Sequence, residues 1–370
     1  MIVGILKEIK IEENRVSMTP AGIEEMCKEG HEVWVEDNAG FNSGFSNDDY
    51  SQAGARIVKT AKQIYAKAEM VMHVKEPQPS EYDLIRKDQI IFTYLHLAAN
   101  KKLTDALIKS DAINIAYETI QKGDGSLPLL TPMSEVAGRM SIQQAAKYLE
   151  MTHGGRGVLL GGVPGVKPAT VVVIGGGVVG THAAKMACGL GARVYLLDKS
   201  LQRLRYLSDV MPANCIVLMS NPTVVRQLAQ LADAVIGAVL IPGSKAPHLI
   251  TRDMLKTMKS GVVLVDVAID QGGCFETSKA TTHEDPIYEV DGIIHYCVAN
   301  MPGAVAKTST LALTNATLPY ALEIATKGWR RAVRENPEIK PGANVVQGKV
   351  TCKGVADAFG MTYTNIDQLV

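Results

Sequence analysis

The stretch TVVVIGGGVVGTHAAKMACGLGARVYLLD (residues 170–198) decides the fold because it contains every part of a β-α-β unit in order. Residues 170–174 are all β-branched and, apart from Thr170, apolar, which predicts a buried strand. Small and apolar residues follow the glycines and predict a helix, and 193–197 predict a second buried strand. Two strands joined by one helix indicate a parallel sheet covered by helices.

The glycines of this stretch follow the pattern Gly175-x-Gly177-x-x-Gly180 at the turn from strand to helix. Gly175 permits the tight turn, Gly177 lets a pyrophosphate approach the backbone N–H groups, and Gly180 lets helix and strand pack closely. Asp198 ends the second strand at the spacing expected for an acid that binds the adenosine ribose. Its carboxylate repels a 2′-phosphate, so the motif favours NAD over NADP as the cofactor.

Two other interpretations of this stretch remain open. A G-x-G-x-x-G pattern by itself is weak evidence because glycine pairs are common in turns, and such a turn can bind nothing at all. The basic residues Lys199 and Arg203 follow Asp198 closely and can tolerate some NADP. The order of strand, glycines, helix and acid nevertheless favours a dinucleotide site.

The alternation of short strands and helical patterns continues along the whole chain and predicts an α/β fold. At 370 residues the chain is long enough for two domains. We expect two Rossmann-like, doubly wound parallel-sheet domains with a cleft between them, joined by long helices that start at Ser134 and span 303–328. The predicted strands are 2–6, 32–36, 70–74, 90–95, 113–117, 170–174, 193–197, 215–219, 233–239, 262–267 and 293–298.

The predicted domains are discontinuous in sequence. Residues 1–128 and 307–370 are expected to form a substrate domain, and residues 129–306 an NAD-binding Rossmann domain. The Gly- and Pro-rich segment 154–168 cannot continue a helix and marks a break before the second series of strands.

Composition excludes several classes of function. Lys plus Arg and Asp plus Glu both number 38, so the chain lacks the positive field that nucleic-acid binding requires. No apolar run reaches the roughly 20 residues that span a bilayer, and no signal peptide is visible, so we expect no membrane association. The six scattered cysteines suit a reducing compartment, and we expect a cytoplasmic protein. No metal-binding pattern of His and Cys is present.

Ligands of open α/β sheets bind outside the carboxyl ends of the strands, and this rule selects further candidates. In the first part of the chain it selects Lys75 and His96 after two strands and Arg15 in the loop after the first strand. In the second part it selects Gly175, Asp198, Ser220, Val239, Leu240, Asp270 and Asn300.

Four of these candidates suit chemistry beside a nicotinamide. Arg15 and Lys75 can hold a substrate carboxylate, and Lys75 can also polarise a carbonyl. His96 suits proton transfer at the carbon that exchanges hydride, and Asp270 can orient an amine or a water. Each also has an ordinary structural interpretation: surface charges for Arg15 and Lys75, a satisfied structural histidine, and a turn cap for Asp270.

Several blocks of the chain closely resemble bacterial L-alanine dehydrogenase, of the alanine dehydrogenase/transhydrogenase subunit family. They are MIVGILKEIKIEENRVSMTPAG, HVKEPQPSEY, TYLHLAAN, TPMSEVAGRMS, GGVPGVKPATVVVIGGGVVG, VDVAIDQGGCFETS and NMPGAVAKTSTLALTNATLPY. The resemblance implies reversible oxidative deamination of L-alanine to pyruvate and ammonium, with NAD accepting the hydride. It also implies a homohexamer.

The resemblance assigns roles to individual positions. It implies that Arg15 and Lys75 bind the substrate and that His96 and Asp270 are the acid/base pair. The cofactor contacts that it implies are Ser134, Val178, Asp198, Arg203, Ser220, Val239, Leu240, Lys279, Asn300 and Met301. Two alternatives remain: an NAD-binding, transhydrogenase-type subunit that passes hydride to a membrane partner, and a non-catalytic NAD-sensing module.

Overall fold

A computed structural model describes residues 1–239 and 248–370 of the chain. The chain divides into two compact units. Unit 1 comprises Met1–Met133 and Gly303–Val370, and unit 2 comprises Ser134–Pro302. Each unit is built around one mostly parallel sheet with helices packed against it, so the predicted α/β fold is confirmed.

The strands and helices of the described residues are numbered in chain order. The strands are β1 (Ile2–Ile5), β2 (Glu32–Glu36), β3 (Arg56–Val58), β4 (Met70–Met72), β5 (Ile90–Thr93), β6 (Ile113–Ala116), β7 (Thr170–Ile174), β8 (Arg193–Asp198), β9 (Cys215–Met219), β10 (Ala234–Gly237), β11 (Val263–Asp266), β12 (Ile287–Val290), β13 (Ile293–Tyr296), β14 (Ala343–Val346) and β15 (Lys349–Val350). The helices are α1 (Pro20–Lys28), α2 (Asn47–Gln52), α3 (Ala61–Lys67), α4 (Lys101–Lys109), α5 (Thr131–Tyr148), α6 (Val178–Gly189), α7 (Leu201–Val210), α8 (Pro222–Leu231), α9 (Arg252–Leu255), α10 (Ala306–Lys327), α11 (Trp329–Glu335) and α12 (Lys353–Phe359).

The sheet of unit 1 has the strand order β15-β14-β6-β5-β4-β1-β2-β3. Strands β1 to β6 run parallel, and β14 and β15 add an antiparallel edge. The central strands β4 and β5 are buried along their whole length because helices cover both faces of a parallel sheet. This arrangement brings the carboxyl ends of β1, β4 and β5 to one edge of the sheet.

The sheet of unit 2 has the order β12-β13-β11-β10-β7-β8-β9 among the described residues. All of its strands are parallel except β12, which pairs antiparallel with β13. Strand order reverses at β7, between β10 on one side and β8 on the other. Such a reversal is where open α/β sheets bind ligands.

The two long helices differ from their predicted limits by about one turn. Helix α5 begins at Thr131, one turn before Ser134, because Thr131 and Pro132 suit the first positions of a helix. Helix α10 begins at Ala306, since Met301–Val305 form a 3₁₀ turn instead. The chain passes from unit 1 to unit 2 within α5 and returns at Gly303. None of the helices in the described ranges has the length and apolar character needed to cross a bilayer.

Candidate functional site

Three predicted site residues of unit 1 follow strands that are neighbours in its sheet. Lys75 follows β4, His96 follows β5, and Arg15 lies in the loop after β1. Their side chains differ in exposure, since Arg15 is buried, Lys75 is half-buried and His96 is exposed. The carboxyl edge of this sheet therefore carries two cations and an imidazole.

Arg15 is held by a buried ion pair with Glu13. Its Nε donates to Glu13 Oε1 at 2.6 Å and its Nη2 to Oε2 at 2.5 Å, while Nη1 donates to the sulfur of Met133 at 3.0 Å. Burial opposes the charge of Arg15, but its hydrogen bonds with Glu13 and that carboxylate's charge raise the guanidinium pKa overall. Arg15 is thus a permanent cation that is shielded from solvent.

Lys75 acts on the same carboxylate. Burial raises the pKa of Glu13, but its hydrogen bonds to Arg15 and the charges of Arg15 and Lys75 outweigh this and lower it. The backbone of Lys75 is fixed on both sides: its N–H points at Glu8 Oε2 at 3.4 Å, and its carbonyl accepts from Thr93 Oγ1 at 2.9 Å. Glu13 is therefore a buried carboxylate that Arg15 binds and that the charge of Lys75 also stabilises.

A buried histidine, His73, directly follows β4 and lies two residues before Lys75. His73 contacts Tyr65 Oη at 3.0 Å through Nε2 and Glu8 Oε1 at 3.3 Å through Nδ1, and Nε2 lies 3.4 Å from Glu81 Oε1. Burial opposes the charge of His73, but Tyr65, Glu81 and Glu8 raise its pKa well above 6.5. The imidazole of His73 thus lies between two carboxylates, which favour its charged form.

His96 has an unusual backbone and a fixed ring. Its φ of 49° lies in the left-handed region, and its N–H donates to Glu118 Oε1 at 2.6 Å. Its ring stacks on Tyr94 with an interplanar angle of 8° and centroids 5.9 Å apart. The Tyr94 hydroxyl donates to the carbonyl of Leu129. Burial raises the pKa of the Tyr94 hydroxyl, and the positive charge of Arg15 partly offsets this rise.

The glycine loop of unit 2 follows β7 and begins α6. Gly175 has a φ of 107°, and a Cβ there would lie 2.5 Å from the carbonyl oxygen of Ala238. A Cβ on Gly180 would lie 1.7 Å from the carbonyl oxygen of Gly175. Both glycines are therefore required by the turn and by the packing of helix on strand, as the sequence pattern predicts.

Gly177 differs from these two glycines. Its φ of −66° is open to any residue, and no heavy atom of the described residues lies within 4 Å of the Cβ position. Local packing gives no reason for a glycine there, whereas a ligand that approaches the backbone at the start of α6 does. The open space and the N–H groups of this helix fit the phosphates of a dinucleotide.

Asp198 ends β8 and faces the glycine loop. Its Oδ2 accepts from the N–H of Gly176 at 2.7 Å, and its Oδ1 from that of Ser200 at 2.8 Å. Arg203 donates from Nε to the carbonyl of Gly176 at 2.6 Å and from Nη2 to Thr181 Oγ1 at 2.9 Å. Both side chains thus fix the loop, and the carboxylate retains lone pairs for ribose hydroxyls.

The remaining cofactor candidates lie at several separate places in unit 2. Val178 is the first residue of α6, and the N–H of Ser220 donates to the carbonyl of Asp198 at 2.8 Å. Half-buried positions are Ser134 on α5 and Val239 after β10. Leu240 lies outside the described residues.

The last cofactor candidates lie between β11 and α10. Lys279 is exposed, and its backbone N–H donates to Tyr288 Oη at 2.7 Å. Asn300 has a φ of 62°, and Met301 is buried.

Asp270 is exposed on the 3₁₀ turn Ile269–Gln271, four residues after the end of β11. The loop around it is organised by Asp266, a fully buried carboxylate. Asp266 accepts from the N–H groups of Ala268 at 3.0 Å and Cys274 at 2.8 Å, and from Ser278 Oγ. The position of Asp270 therefore depends on a buried residue that the sequence alone did not single out.

Other residues of these two edges were also missed from sequence. Glu13, Tyr94 and Glu118 surround the unit 1 candidates, and Gly176 links the glycine loop to Asp198. Glu118 had a signal, since it directly follows a predicted strand. In the described ranges, no group of three or more His, Cys, Asp or Glu side chains is arranged to hold a metal ion.

Comparisons with known proteins cover both units. The family model described as Alanine dehydrogenase/PNT, N-terminal domain, matches residues 4–137, and the model for the C-terminal domain matches 141–353. An alanine dehydrogenase from Methanococcus maripaludis is 55% identical over 365 residues, which are 98% of this chain and 98% of the relative.

Solved structures extend the comparison. An L-alanine dehydrogenase superposes with a TM-score of 0.94 at 49% identity, over 97% of this chain and 99% of that one. A transhydrogenase from Sinorhizobium meliloti gives a TM-score of 0.82 at 24% identity, over 95% and 99%, a likeness that shows a shared fold alone. By both family models and by identity along its whole length, the chain belongs to the alanine dehydrogenase/PNT family.

Proposed function

We propose that the chain catalyses the reversible oxidative deamination of L-alanine to pyruvate and ammonium with NAD as the hydride acceptor. The observation that carries the proposal is that Arg15, Lys75 and His96 follow three neighbouring strands at one edge of the unit 1 sheet, where Arg15 already binds a carboxylate. The relatives named as alanine dehydrogenases indicate which carboxylate is bound. In the direction of synthesis, pyruvate, ammonium, NADH and a proton give L-alanine, NAD and water.

Arg15 and Lys75 bind the substrate in this proposal. Glu13 holds Nε and Nη2 of Arg15, whereas Nη1 contacts the sulfur of Met133, a weak acceptor. A substrate carboxylate is a much better acceptor and would take over Nη1. Lys75, which already acts on a carboxylate in the same place, would contact the carboxylate or the keto oxygen.

His96 and Asp270 move protons in this proposal. The imidazole of His96 would protonate the keto oxygen of pyruvate as ammonia adds, and would take the proton back in deamination. The carboxylate of Asp270 would orient the ammonia or the water that adds to or leaves the imine carbon. Both side chains are exposed at the ends of their strands, which leaves them accessible to a small substrate.

The cofactor would be held by unit 2. Its pyrophosphate would lie against Gly177 and the first N–H groups of α6, and Asp198 would accept from the ribose hydroxyls. Arg203 stabilises the glycine loop by donating a hydrogen bond to the carbonyl of Gly176. A cofactor held by these residues would supply the hydride for reduction of the imine carbon.

Further features of the proposal concern the whole protein. We propose that unit 1 is the substrate domain and unit 2 the NAD-binding domain, close to the limits expected from sequence. The six cysteines are all free thiols, which supports a cytoplasmic location. Membership of the family supports a homohexamer.

The experiment that tests the proposed function is an initial-rate assay of NADH oxidation by the purified chain. The rate should require both pyruvate and ammonium. His96→Ala should lower kcat by about 10²- to 10⁴-fold, since a general acid is lost, while NADH binding stays unchanged. His153→Ala, which removes a histidine of unit 2 that the proposal does not use, is the matched control.

The rival with the same fold is a transhydrogenase-type subunit that delivers hydride to a partner protein. It requires no clamp for an amino acid, and its solved relative is similar at 24% identity only. An NADH oxidation rate that does not respond to pyruvate and ammonium would favour this rival or a sensing module. Near-normal turnover of His96→Ala would remove His96 from the mechanism.

A further inference from the structure

We propose that Glu118 is a positioning residue for His96: its carboxylate fixes the strand end on which the imidazole is carried. The inference rests on the proposed function, because it explains how a proton-transfer group is held in place. Glu118 lies in the 3₁₀ turn Tyr117–Thr119 directly after β6, and β6 is the neighbour of β5 in the sheet.

The first support is the set of hydrogen bonds that Glu118 accepts. The N–H of Leu95 lies 3.2 Å from each of its oxygens, and the N–H of His96 lies 2.6 Å from Oε1. The backbone pairing of β5 with β6 ends at Thr93 and Ala116. Glu118 therefore continues the connection between the two strands with a side chain, past the point where the sheet itself stops.

The second support is the backbone conformation of His96. Its φ of 49° and ψ of 39° are left-handed, a region that non-glycine residues occupy at an energetic cost. Such a conformation persists only where neighbouring groups enforce it. At His96, the charge-assisted hydrogen bond from its N–H to Glu118 supports the left-handed conformation.

The third support is the packing of aromatic rings between the two residues. The His96 ring stacks on Tyr94, and Tyr94 packs edge-on against Tyr117 with centroids 5.1 Å apart and an angle of 81°. Tyr117 is the residue before Glu118. One short segment thus holds the backbone of His96 by its carboxylate and the ring of His96 through two tyrosines.

Replacing the carboxylate tests this role. Glu118→Ala should lower kcat on the order of 10- to 100-fold, because a misplacement of about 1 Å costs that much in a proton-transfer step. The KM for pyruvate and the dissociation constant for NADH should stay within about threefold, since the cations and the glycine loop are untouched. Glu118→Gln, which keeps one oxygen acceptor, should recover most of the lost kcat.

A matched control separates positioning from general destabilisation. The carboxylate of Glu69 accepts the backbone N–H of Ile2 at 2.7 Å, at the opposite, amino-terminal edge of the same sheet. Glu69→Ala removes a similar bond and should leave kcat within about twofold of the wild type. Wild-type kcat in Glu118→Ala, or an equal loss in Glu69→Ala, overturns the inference.

A second readout needs no catalytic activity. The rate at which diethyl pyrocarbonate modifies His96 can be followed by mass spectrometry, with His153 as the internal reference. Glu118→Ala, or Glu118→Met where the alanine variant does not fold, removes the oxygen acceptors and should raise the His96 rate severalfold because the ring leaves its stack on Tyr94. An unchanged rate overturns the positioning role, whereas an inactive wild type with a changed rate contradicts the proposed reaction alone.

Discussion

Gly177 gives the sharpest prediction about the cofactor, because it combines an ordinary φ with empty space at its Cβ position. Gly177→Ala should change the free energy of unfolding by less than about 1 kcal/mol. Gly180→Ala should cost about 1–3 kcal/mol or more, since its Cβ would overlap the carbonyl oxygen of Gly175 at 1.7 Å. Two glycines of one motif should therefore behave in opposite ways.

Binding should show the reverse contrast for Gly177. A methyl group there keeps the pyrophosphate from the backbone and removes at least one charge-assisted hydrogen bond, worth about 1.5–3 kcal/mol. The dissociation constant for NADH should rise roughly 10- to 150-fold. Fluorescence titration with NADH measures the binding, and urea unfolding of the ligand-free protein measures the stability.

Gly189→Ala is the matched control for these measurements. Gly189 is the last residue of α6, and its Cβ position is also free of described atoms within 4 Å. The variant should bind NADH like the wild type. NADH binding by Gly177→Ala within twofold of the wild type would refute the reasoning, as would a loss of stability equal to that of Gly180→Ala.

Three further predictions concern charged groups. Glu13→Gln removes the charge that pairs with the buried Arg15 guanidinium and should cost about 3–5 kcal/mol in urea unfolding; a cost below 1 kcal/mol contradicts a buried pair. Asp198→Ala should weaken NADH binding and reduce the discrimination against NADPH in paired titrations; an unchanged preference means that the ribose is recognised elsewhere. Because the folded-state pKa of His73 is raised, its stabilising contribution is complete below pH 6.5 and is lost as the pH rises through that higher pKa. Urea unfolding from pH 6.5 upward should show a steeper loss of stability in the wild type than in His73→Gln, and parallel slopes contradict a charged His73.

The central strands of both sheets were predictable because they are short, continuous apolar runs. The strands β7 and β9 have the limits that the sequence predicts, and β2 does as well. Four strands were not predicted: β3, β12 and β15 are edge strands, and β14 lies between β15 and β6. β3 has three residues and β15 has two, and their pairing depends on neighbours that are distant in sequence, so local pattern carries little signal.

Apart from the glycine motif, the sequence selects candidate site residues mainly where a residue directly follows a strand, and their roles stay predictions. That rule selected Lys75 and His96, and it also points to Glu118, which follows the predicted strand 113–117. The sequence does not distinguish Glu118 from a surface charge, because its hydrogen bonds from the N–H groups of Leu95 and His96 depend on the fold. Glu13 shows a different limit, since its pairing with Arg15 two residues later requires a loop conformation that no periodicity predicts.

The most direct test of the central claim is an isotope experiment that traces the nitrogen of ammonium and the hydride of NADH into the product. The purified chain is incubated with pyruvate, ¹⁵N-ammonium and NADH that carries deuterium at the transferred position, and the amino acid is analysed by mass spectrometry and NMR. The account predicts L-alanine with ¹⁵N on its amino group and deuterium on its α-carbon, one molecule for each NADH oxidised. Oxidation of NADH that yields lactate, or that moves deuterium to another nucleotide and forms no alanine, would contradict it.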